Sequence, residues 1–337
     1  MADYKEIKGK HILSIASDLD SSAGEGQIWF NTTSGDFKTI IKAAGSWATG
    51  GNLNNGRNQT SGQVGIYTAG LVAGGGNPGV FNHSEEYNGS AWTEGDNLNT
   101  ARLGCGGMGT QTAGSIAGGH NNTAVVDLNE EYDGTSYTES GDLNTARQGV
   151  VGSGTQTAGL ISGGNGPSAA SEEYDGTSWT EGNDLNTGRY FGGGCGTQTS
   201  AITTGGEVSG SPNRTANAEQ YDGSSWTEVG NINSARYNMG TMGATNSSAV
   251  IAGSEDSPKG LVEQWDNTTW TEVADLSTAR DNRGSGTSAN GIVYGGVSQS
   301  TATEEWSFTS TLAAGAWASG GNLGTARYMG GGAGTQT

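Results

Sequence analysis

Arginine is the residue type whose placement in this chain first suggests chemistry. Seven arginines each follow an aromatic residue by ten positions, and a cluster of guanidinium groups could hold a substrate carboxylate. Catalysis usually breaks the symmetry of a repeat, whereas packing preserves it. We therefore interpret the arginines as structural, each binding loop carbonyls or a glutamate of its own repeat. The arginines are Arg57, Arg102, Arg147, Arg189, Arg236, Arg280 and Arg327, and the glutamates are Glu85, Glu130, Glu172, Glu219, Glu263 and Glu304.

The histidines and cysteines do not suggest a metal or redox site. A copper oxidase would need paired histidines and a tyrosine cross-linked to cysteine. His11 lies outside the repeats, and His83 and His120 fall in the loops of different repeats. Cys105 and Cys195 stand isolated among glycines and are predicted to be small buried residues. We predict no catalytic residues, no metal and no cofactor.

Adjacent acidic residues also recur, as in Glu85 and Glu86, and could suggest acid–base catalysis or a calcium site. On a strand, neighbouring side chains point to opposite faces, so such a pair cannot share one proton or ion. The sequence has no D-x-D-x-D-G loop, although structural calcium stays an alternative. No glycine tract carries a lysine at P-loop spacing. The protein is therefore predicted not to be an enzyme.

The arginines belong to a repeat of roughly 45 residues that runs along nearly the whole chain. Its core is W-T-E-x-x-x-L-N-T-A-R, and seven units are visible. Between one arginine and the next aromatic come an apolar segment ending in Gly-Gly, a stretch of variable length and an E-E-Y or E-Q-W triplet. The aromatic positions are Trp47, Trp92, Tyr137, Trp179, Trp226, Trp270 and Trp317.

Each unit is predicted to contain four strands. Apolar segments such as TAGLVAGG are as long as a strand and too short for a helix. Turn residues such as D-G-T-S join the triplet to the W-T-E strand as a hairpin. A glycine-rich strand after the arginine completes the set. Four-stranded units of this length are typical of a β-propeller, whose blades bury their faces against one another.

The number of blades depends on how the two ends of the chain meet. The last unit has only its first strand, ending at GAGTQT, while strands are predicted at 27–31, at 37–42 and around Trp47. Three strands from the start can complete one strand from the end, which removes the last open edge. We expect an all-β propeller of seven four-stranded blades over residues 27–337, with residues 1–26 as an attachment segment. Six blades with extra flanking strands is the alternative.

The order of hydrophobic strand, Gly-Gly, tyrosine, tryptophan and arginine resembles the Kelch repeat over about residues 40–337. One departure is an insertion between Trp306 and Trp317, which predicts a longer outer hairpin in the last unit. GEGQIWFNTTSGDFKT and the repeat with G-T-Q-T are also similar to structural proteins of tailed bacteriophages of marine bacteria. This resemblance implies a tail, fibre or appendage component, made in the host cytoplasm and located in the virion. Its implied partners are other virion proteins and a host receptor or glycan, and it is compatible with a homo-oligomer in a symmetric assembly.

Composition narrows the classes of partner. Asp and Glu number 34 against 15 Lys and Arg, a formal charge of −19, which repels phosphate backbones, so nucleic acid is not expected. No apolar stretch approaches the roughly 18 residues of a membrane span, so membrane insertion is not expected. The alternatives to a virion protein are an intracellular Kelch-type adaptor for a protein partner and a glycan-binding or carbohydrate-active propeller.

Variation in length is confined to the connection between the Gly-Gly pair and the triplet. We call these connections the variable loops; they are residues 76–84, 120–129, 165–171, 207–218, 255–262 and 297–303. Because the strands of a blade run antiparallel, these loops and the D-L-N-T-A-R segments share one face, and recognition commonly resides in loops on a rigid scaffold. Drift without selection is the alternative explanation. The candidate binding residues are Phe81, His83, His120, Asn213, Arg214, Asp256 and Lys259.

Overall fold

The computed structural model describes residues 13–16, 28–33, 36–41, 45–62, 64–76, 78–296, 300–308 and 311–314. These residues form strands, turns and irregular segments, and none of them is helical. The chain divides into two compact units, one made of Met1–Ala43 with Thr309–Thr337 and the other of Ala44–Phe308.

The first unit contains one four-stranded sheet. Its strands, in sheet order, are β1 (Leu13–Ile15), β2 (Ile28–Asn31), β3 (Asp36–Ile41) and β28 (Thr311–Ala314). β1 is parallel to β2, and the other neighbours are antiparallel. The strands expected near 27–31 and 37–42 are thus present as β2 and β3, but they lie in this sheet and not in a blade. The expected attachment segment, residues 1–26, is described only at 13–16, which includes β1.

The unit Ala44–Phe308 is a β-propeller of six blades, each a four-stranded sheet. The innermost strands of blades 1 to 6 are β5 (Gly65–Ile66), β9 (Gly106–Thr110), β13 (Val151–Thr155), β17 (Gly193–Thr197), β21 (Gly240–Thr245) and β25 (Arg283–Gly286). The second strands are β6 (Ala69–Ala73), β10 (Ala113–Ala117), β14 (Ala158–Ser162), β18 (Ser200–Thr204), β22 (Ser248–Ala252) and β26 (Asn290–Tyr294). The third strands are β7 (Ser84–Tyr87), β11 (Asn129–Tyr132), β15 (Ser171–Tyr174), β19 (Ala218–Tyr221), β23 (Val262–Trp265) and β27 (Thr303–Ser307). The outer strands are β8 (Trp92–Glu94), β12 (Tyr137–Glu139), β16 (Trp179–Glu181), β20 (Trp226–Val229), β24 (Trp270–Glu272) and, in blade 6, β4 (Ser46–Thr49).

Glycine allows the innermost strands to crowd around the centre. Each innermost strand contacts the next, and β25 contacts β5 again, so the ring is closed. A side chain at Gly152 would place its Cβ 2.5 Å from the carbonyl oxygen of Gly107 on the neighbouring strand. The second strands instead carry apolar side chains such as Ile116 and Ile161, which are fully buried. The glycine excess therefore reflects close backbone contact at the centre, and the apolar core lies one strand further out.

Tyrosines on the third strands join neighbouring blades. The hydroxyl of Tyr132 in blade 2 donates to Glu86 Oε1 in blade 1 at 2.6 Å. Equivalent bonds are Tyr174 to Glu131, Tyr221 to Glu173 and Tyr87 to Glu305. Blades 5 and 6 have tryptophan at this position, and the preceding blades then carry glutamine, at Gln220 and Gln264. The middle residue of the triplet, glutamate or glutamine, therefore corresponds to the aromatic residue of the following blade, tyrosine or tryptophan.

A strand from the start of the propeller closes blade 6. Trp47 on β4 is paired with Trp306 on β27, just as Trp92 is paired with Tyr87 in blade 1. The two indole rings of the closing pair lie 5.0 Å apart between centroids. Trp47 Nε1 also donates to the carbonyl oxygen of Ala274 in blade 5 at 2.9 Å. One residue therefore fastens the closing strand to its own blade and to the blade before it.

The prediction of an all-β propeller is confirmed, and the blade count is that of the six-bladed alternative. The preferred count of seven is wrong because it paired Trp306 with Trp317 across a lengthened hairpin. In the structure Trp306 pairs with Trp47, so the first aromatic position belongs to the last blade. The blades begin at Ser46, and the repeat positions Trp317 and Arg327 lie outside the described residues.

The tyrosine contacts predict a loss of stability at high pH. Burial, together with the hydrogen bond to Glu131, raises the pKa of Tyr174 to about 12. Burial and the hydrogen bond to Glu305 likewise raise the pKa of Tyr87 to about 12. In the unfolded chain the tyrosine pKa is about 10. A raised pKa in the folded state contributes stability that is present below pH 10 and is lost as the pH rises towards 12.

We expect the free energy of unfolding, measured by urea denaturation, to change little between pH 8 and pH 9 and to fall steeply above about pH 10. Tyr174→Phe should weaken this dependence because the unfolded variant releases one proton fewer. An unfolding free energy that stays level up to pH 11 would contradict the proposed blade contacts.

Candidate functional site

Four of the six described blade arginines bind both ends of a variable loop. In blade 2, Arg102 Nη1 donates to the carbonyl oxygens of Gly118 at 3.1 Å and Leu128 at 2.5 Å. These carbonyls lie just before the start and close to the end of the loop 120–129. Arg57, Arg147 and Arg189 make the same two bonds in their blades, and Arg236 makes the second of them.

The other end of the same guanidinium meets a buried glutamate. Arg102 Nη2 lies 3.0 Å from Glu130 Oε1, and both side chains are fully buried. The second oxygen, Glu130 Oε2, accepts the backbone N–H of Asn99 at 2.7 Å and its amide at 3.0 Å. The equivalent pairs are Arg57 with Glu85, Arg147 with Glu172, Arg189 with Glu219, Arg236 with Glu263 and Arg280 with Glu304. The six described arginines of the repeat are therefore engaged in packing, as their common register predicts.

Burial lowers the pKa of some of these arginines, while their paired glutamates oppose the shift. It lowers the pKa of Arg189, while the charge of Glu219 and the hydrogen bond to it oppose the shift. Arg57 is affected in the same way by burial and by Glu85. An arginine pKa starts far above neutrality, so Arg57 and Arg189 keep their charge at physiological pH. Charged pairs with this many hydrogen bonds hold the loop ends at fixed positions.

The structure brings together two of the predicted binding residues, Arg214 and Asp256. Arg214 in the loop of blade 4 donates from Nε to Asp256 Oδ2 in the loop of blade 5 at 2.7 Å. Its Nη1 lies 2.8 Å from Glu207 Oε1, and its Cζ lies 3.8 Å from the ring centroid of Tyr237. Burial alone would lower the pKa of Arg214, but the hydrogen bond to Asp256 and the nearby acidic charges raise it. Asn213 is exposed beside this cluster.

A cavity of about 280 Å³ lies next to this cluster. Its walls come from the loop of blade 5, including Asp256 and Pro258, and from the segment Ser234, Ala235 and Arg236. Binding sites for drug-sized molecules typically have volumes from about 300 Å³ upwards. This cavity lies just below that range and has room for a smaller group, such as one side chain or one sugar ring.

The remaining predicted residues lie on other loops. Phe81 and His83 stack on each other in blade 1, with ring centroids 5.6 Å apart, and His83 is exposed. His120 in blade 2 accepts the N–H of Asn122 at its Nδ1 at 3.0 Å. Lys259 lies on the blade 5 loop, where its carbonyl accepts the N–H of Arg280 at 3.2 Å. No hydrogen bond or ion pair between described residues joins these side chains to the Arg214 cluster, and their binding role stays a prediction.

Sequence reasoning missed Glu207, Tyr237 and Arg283. Glu207 and Tyr237 complete the environment of Arg214, and Tyr237 directly follows the blade arginine Arg236, as Tyr190 follows Arg189. Arg283 lies on the innermost strand of blade 6, three residues after Arg280. The signal that could have found it is the segment A-R-D-N-R, because no other unit carries a charged residue at these positions.

Cys105 and Cys195 are buried free thiols, as predicted. Burial raises the pKa of Cys105 to about 11 and that of Cys195 to about 12, so both stay protonated. Within the described ranges, no group of three or more His, Cys, Asp and Glu side chains could hold a metal ion. The described part of the chain likewise contains no helix long and apolar enough to cross a membrane.

The sequence matches no family model and no curated protein sequence. Among solved structures, YjhT is similar to this chain with a TM-score of 0.63 and 13% sequence identity, covering 75% of this chain and 95% of YjhT. At such low identity the similarity concerns the fold alone. This chain therefore shares the β-propeller fold of YjhT.

Proposed function

We propose that the propeller is a non-enzymatic recognition module that binds a partner through the face carrying the variable loops. One observation carries this proposal. The loops differ in length and sequence, yet in blades 1 to 4 the same arginine atom holds both ends of the loop by the same pair of carbonyls. A framework that is constant at the loop base and variable at the loop tip is the arrangement by which scaffold proteins present binding loops.

The chemistry of the face favours a polar partner. The cluster of Arg214, Glu207, Asp256 and Tyr237 offers an arginine and an aromatic ring beside a cavity of about 280 Å³. Arginine and tyrosine are enriched among the residues that dominate protein interfaces. A protein side chain or a sugar ring of a glycan fits these dimensions.

The resemblance of GEGQIWFNTTSGDFKT and of the repeat to structural proteins of tailed phages supports a virion role within this proposal. The propeller would then be a tail, fibre or appendage component, made in the host cytoplasm and assembled into the particle. Its partners would be other virion proteins or a host-surface receptor or glycan. An intracellular Kelch-type adaptor is the alternative in the same structural terms, since it too would bind through the variable loops.

Photo-crosslinking tests the proposal. A photoreactive amino acid at Asn213 places the probe on the variable-loop face, and one at Thr177, which is exposed in a hairpin turn between the third and outer strands, places it on the opposite face. In virions purified from cells that produce the protein, we expect Asn213 to crosslink to a virion protein or, after adsorption, to a host-surface component, and Thr177 to crosslink far less. Absence of the protein from the virions would contradict the virion role, and crosslinking from Thr177 alone would contradict the choice of face.

A further inference from the structure

The centre of the propeller contains a cavity of about 30 Å³ lined by residues from all six blades. The first residue of the innermost strand is glycine or valine in blades 2 to 5 and arginine in blade 6. These residues are Gly106, Val151, Gly193, Gly240 and Arg283. They occupy the same register, because each pairs with the last residue of the second strand of its blade. Arg283 is therefore a charged exception at the centre of the ring.

The backbone beside this cavity is also irregular in blade 6. In blades 2 to 5, the residue two positions after the blade arginine donates its N–H to the equivalent carbonyl of the preceding blade at 2.7 to 2.9 Å. The donors are Gly104, Gly149, Phe191 and Asn238. In blade 6 the corresponding residue is Asn282, and its carbonyl oxygen accepts Arg283 Nη1 at 3.0 Å. Arg283 therefore lies at the blade where this backbone carbonyl accepts a hydrogen bond from a side chain.

The charge of Arg283 is not matched by an ion pair among the described residues. Each of the six described blade arginines pairs with a glutamate and Arg214 with two acids. Asp281 and Glu255 act on Arg283 through their charge, but each accepts a hydrogen bond from the amide of Asn238, at 3.0 and 3.1 Å. Burial lowers the pKa of Arg283, and Asp281 opposes the shift. The side chain of Arg283 is half-buried and gives one hydrogen bond among the described residues, from Nη1 to the carbonyl oxygen of Asn282, so guanidinium donors remain for a ligand.

The surroundings of the guanidinium suit an anion. Its Cζ lies 5.7 Å from the ring centroid of Phe191 across the centre. Val151 and Met239 contribute apolar walls to the cavity, and charge interactions strengthen in such a medium. Since one water needs about 10–15 Å³, the cavity has room for about two oxygen atoms.

We propose that Arg283 binds a carboxylate group in this central cavity. The planar guanidinium presents paired N–H donors that match the two oxygens of a carboxylate, which is the recognition geometry arginine provides better than lysine. The limited volume accepts the carboxylate itself, so the rest of a larger ligand extends out of the ring. Arg283 begins its strand at the variable-loop end of the blade, and a ligand held there is accessible from the proposed recognition face. The site does not depend on the recognition role, because a free small carboxylate would fill it as well.

The test is a titration of the full-length protein with ¹³C-labelled formate, followed by the line width of the formate NMR signal. We expect saturable broadening with the native protein, affinity at least about tenfold lower in Arg283→Gln, since a charge-assisted hydrogen bond contributes about 1.5–3 kcal/mol, and unchanged affinity in Arg214→Gln. Formamide, which has the same shape without the charge, should not bind. If Arg283→Gln does not fold, Arg283→Lys should fold and bind formate with an affinity below that of the native protein.

Three results would overturn the proposal. They are native protein that does not broaden the formate signal, a folded Arg283→Gln variant that binds formate as tightly as the native protein, and formamide binding equal to that of formate. A decrease in Arg214→Gln without one in Arg283→Gln would likewise overturn it, because it would move the anion site to the loops. Crosslinking from Asn213 reports on the recognition face separately, so either result can fail without the other.

Discussion

Arg102→Met should lower the free energy of unfolding of the propeller by about 3–5 kcal/mol, the range expected when one member of a buried ion pair is removed. The substitution leaves the Glu130 carboxylate without its counter-charge in a site where both side chains are fully buried. It also removes the donors to the carbonyls of Gly118 and Leu128 at the base of the variable loop. Methionine fills much of the same volume, so the loss is mainly one of charge and hydrogen bonds. Urea denaturation at neutral pH measures it.

A second arginine provides the control. Arg214 also forms ion pairs, but its side chain is 20% exposed and those of its partners Glu207 and Asp256 are 27% and 42% exposed. Exposed pairs contribute about 0–1 kcal/mol, so Arg214→Met should cost less than about 1 kcal/mol. The double variant Arg102→Met with Glu130→Leu should regain part of the lost stability, because no buried charge is left unpaired. Equal costs for Arg102→Met and Arg214→Met would contradict the structural role assigned to the blade arginines.

Trp47→Ala should destabilise the propeller by about 3 kcal/mol, at the lower end of the range for truncating a large buried aromatic side chain. The substitution removes the ring that packs against Trp306 at 5.0 Å and the indole donor to Ala274 at 2.9 Å. Both contacts hold the closing strand of blade 6, so their loss weakens the ring at the point where its two ends meet. Urea denaturation followed by tryptophan fluorescence gives the change in stability.

Trp317→Ala is the matched control, since Trp317 occupies the same place in the repeat. A six-bladed ring closed by Trp47 does not need a second closing tryptophan. Trp317→Ala should therefore cost the propeller clearly less than Trp47→Ala. The reverse order would mean that the last unit closes the ring, as a propeller of seven blades requires.

Much of the propeller could be predicted from the sequence because its determinants are local and repeated. The five-residue spacing between Tyr87 and Trp92 predicts a hairpin, and the structure pairs these two residues directly. The common register of the arginines predicts their pairing with the triplet glutamates. Repetition also places the variable loops on one face, since strand direction alternates within a blade.

The blade count was harder to predict because it depends on a contact between the ends of the propeller. Nothing local to Trp47 shows whether its strand pairs with the strand predicted at 37–42 or with Trp306 at the other end. A signal was nevertheless present in the triplets. Glu305 in blade 6 predicts a tyrosine in the blade that follows around the ring. That blade is blade 1, and its Tyr87 donates to Glu305. The pattern of glutamate before tyrosine and glutamine before tryptophan closes after six blades.

The site was predictable only in part for a related physical reason. Arg214 and Asp256 were identified as loop residues, but their contact depends on the folded shape of two loops of different length. Arg283 lies on an inner strand, where glycine elsewhere suggested packing alone. The sequence pattern at 37–42 likewise indicates a strand but not the sheet to which it belongs, and β3 lies outside the blades.

Cryo-electron microscopy of virions from cells that produce the protein would locate the propeller and the face that makes its contacts, at a resolution that separates individual blades. We expect a ring of six blades on the tail or an appendage, with the variable loops facing a neighbouring virion protein or the exterior where a host receptor is met. A particle without this ring would contradict the virion role. A ring whose contacts are all made by the face opposite the variable loops would contradict recognition by the variable-loop face.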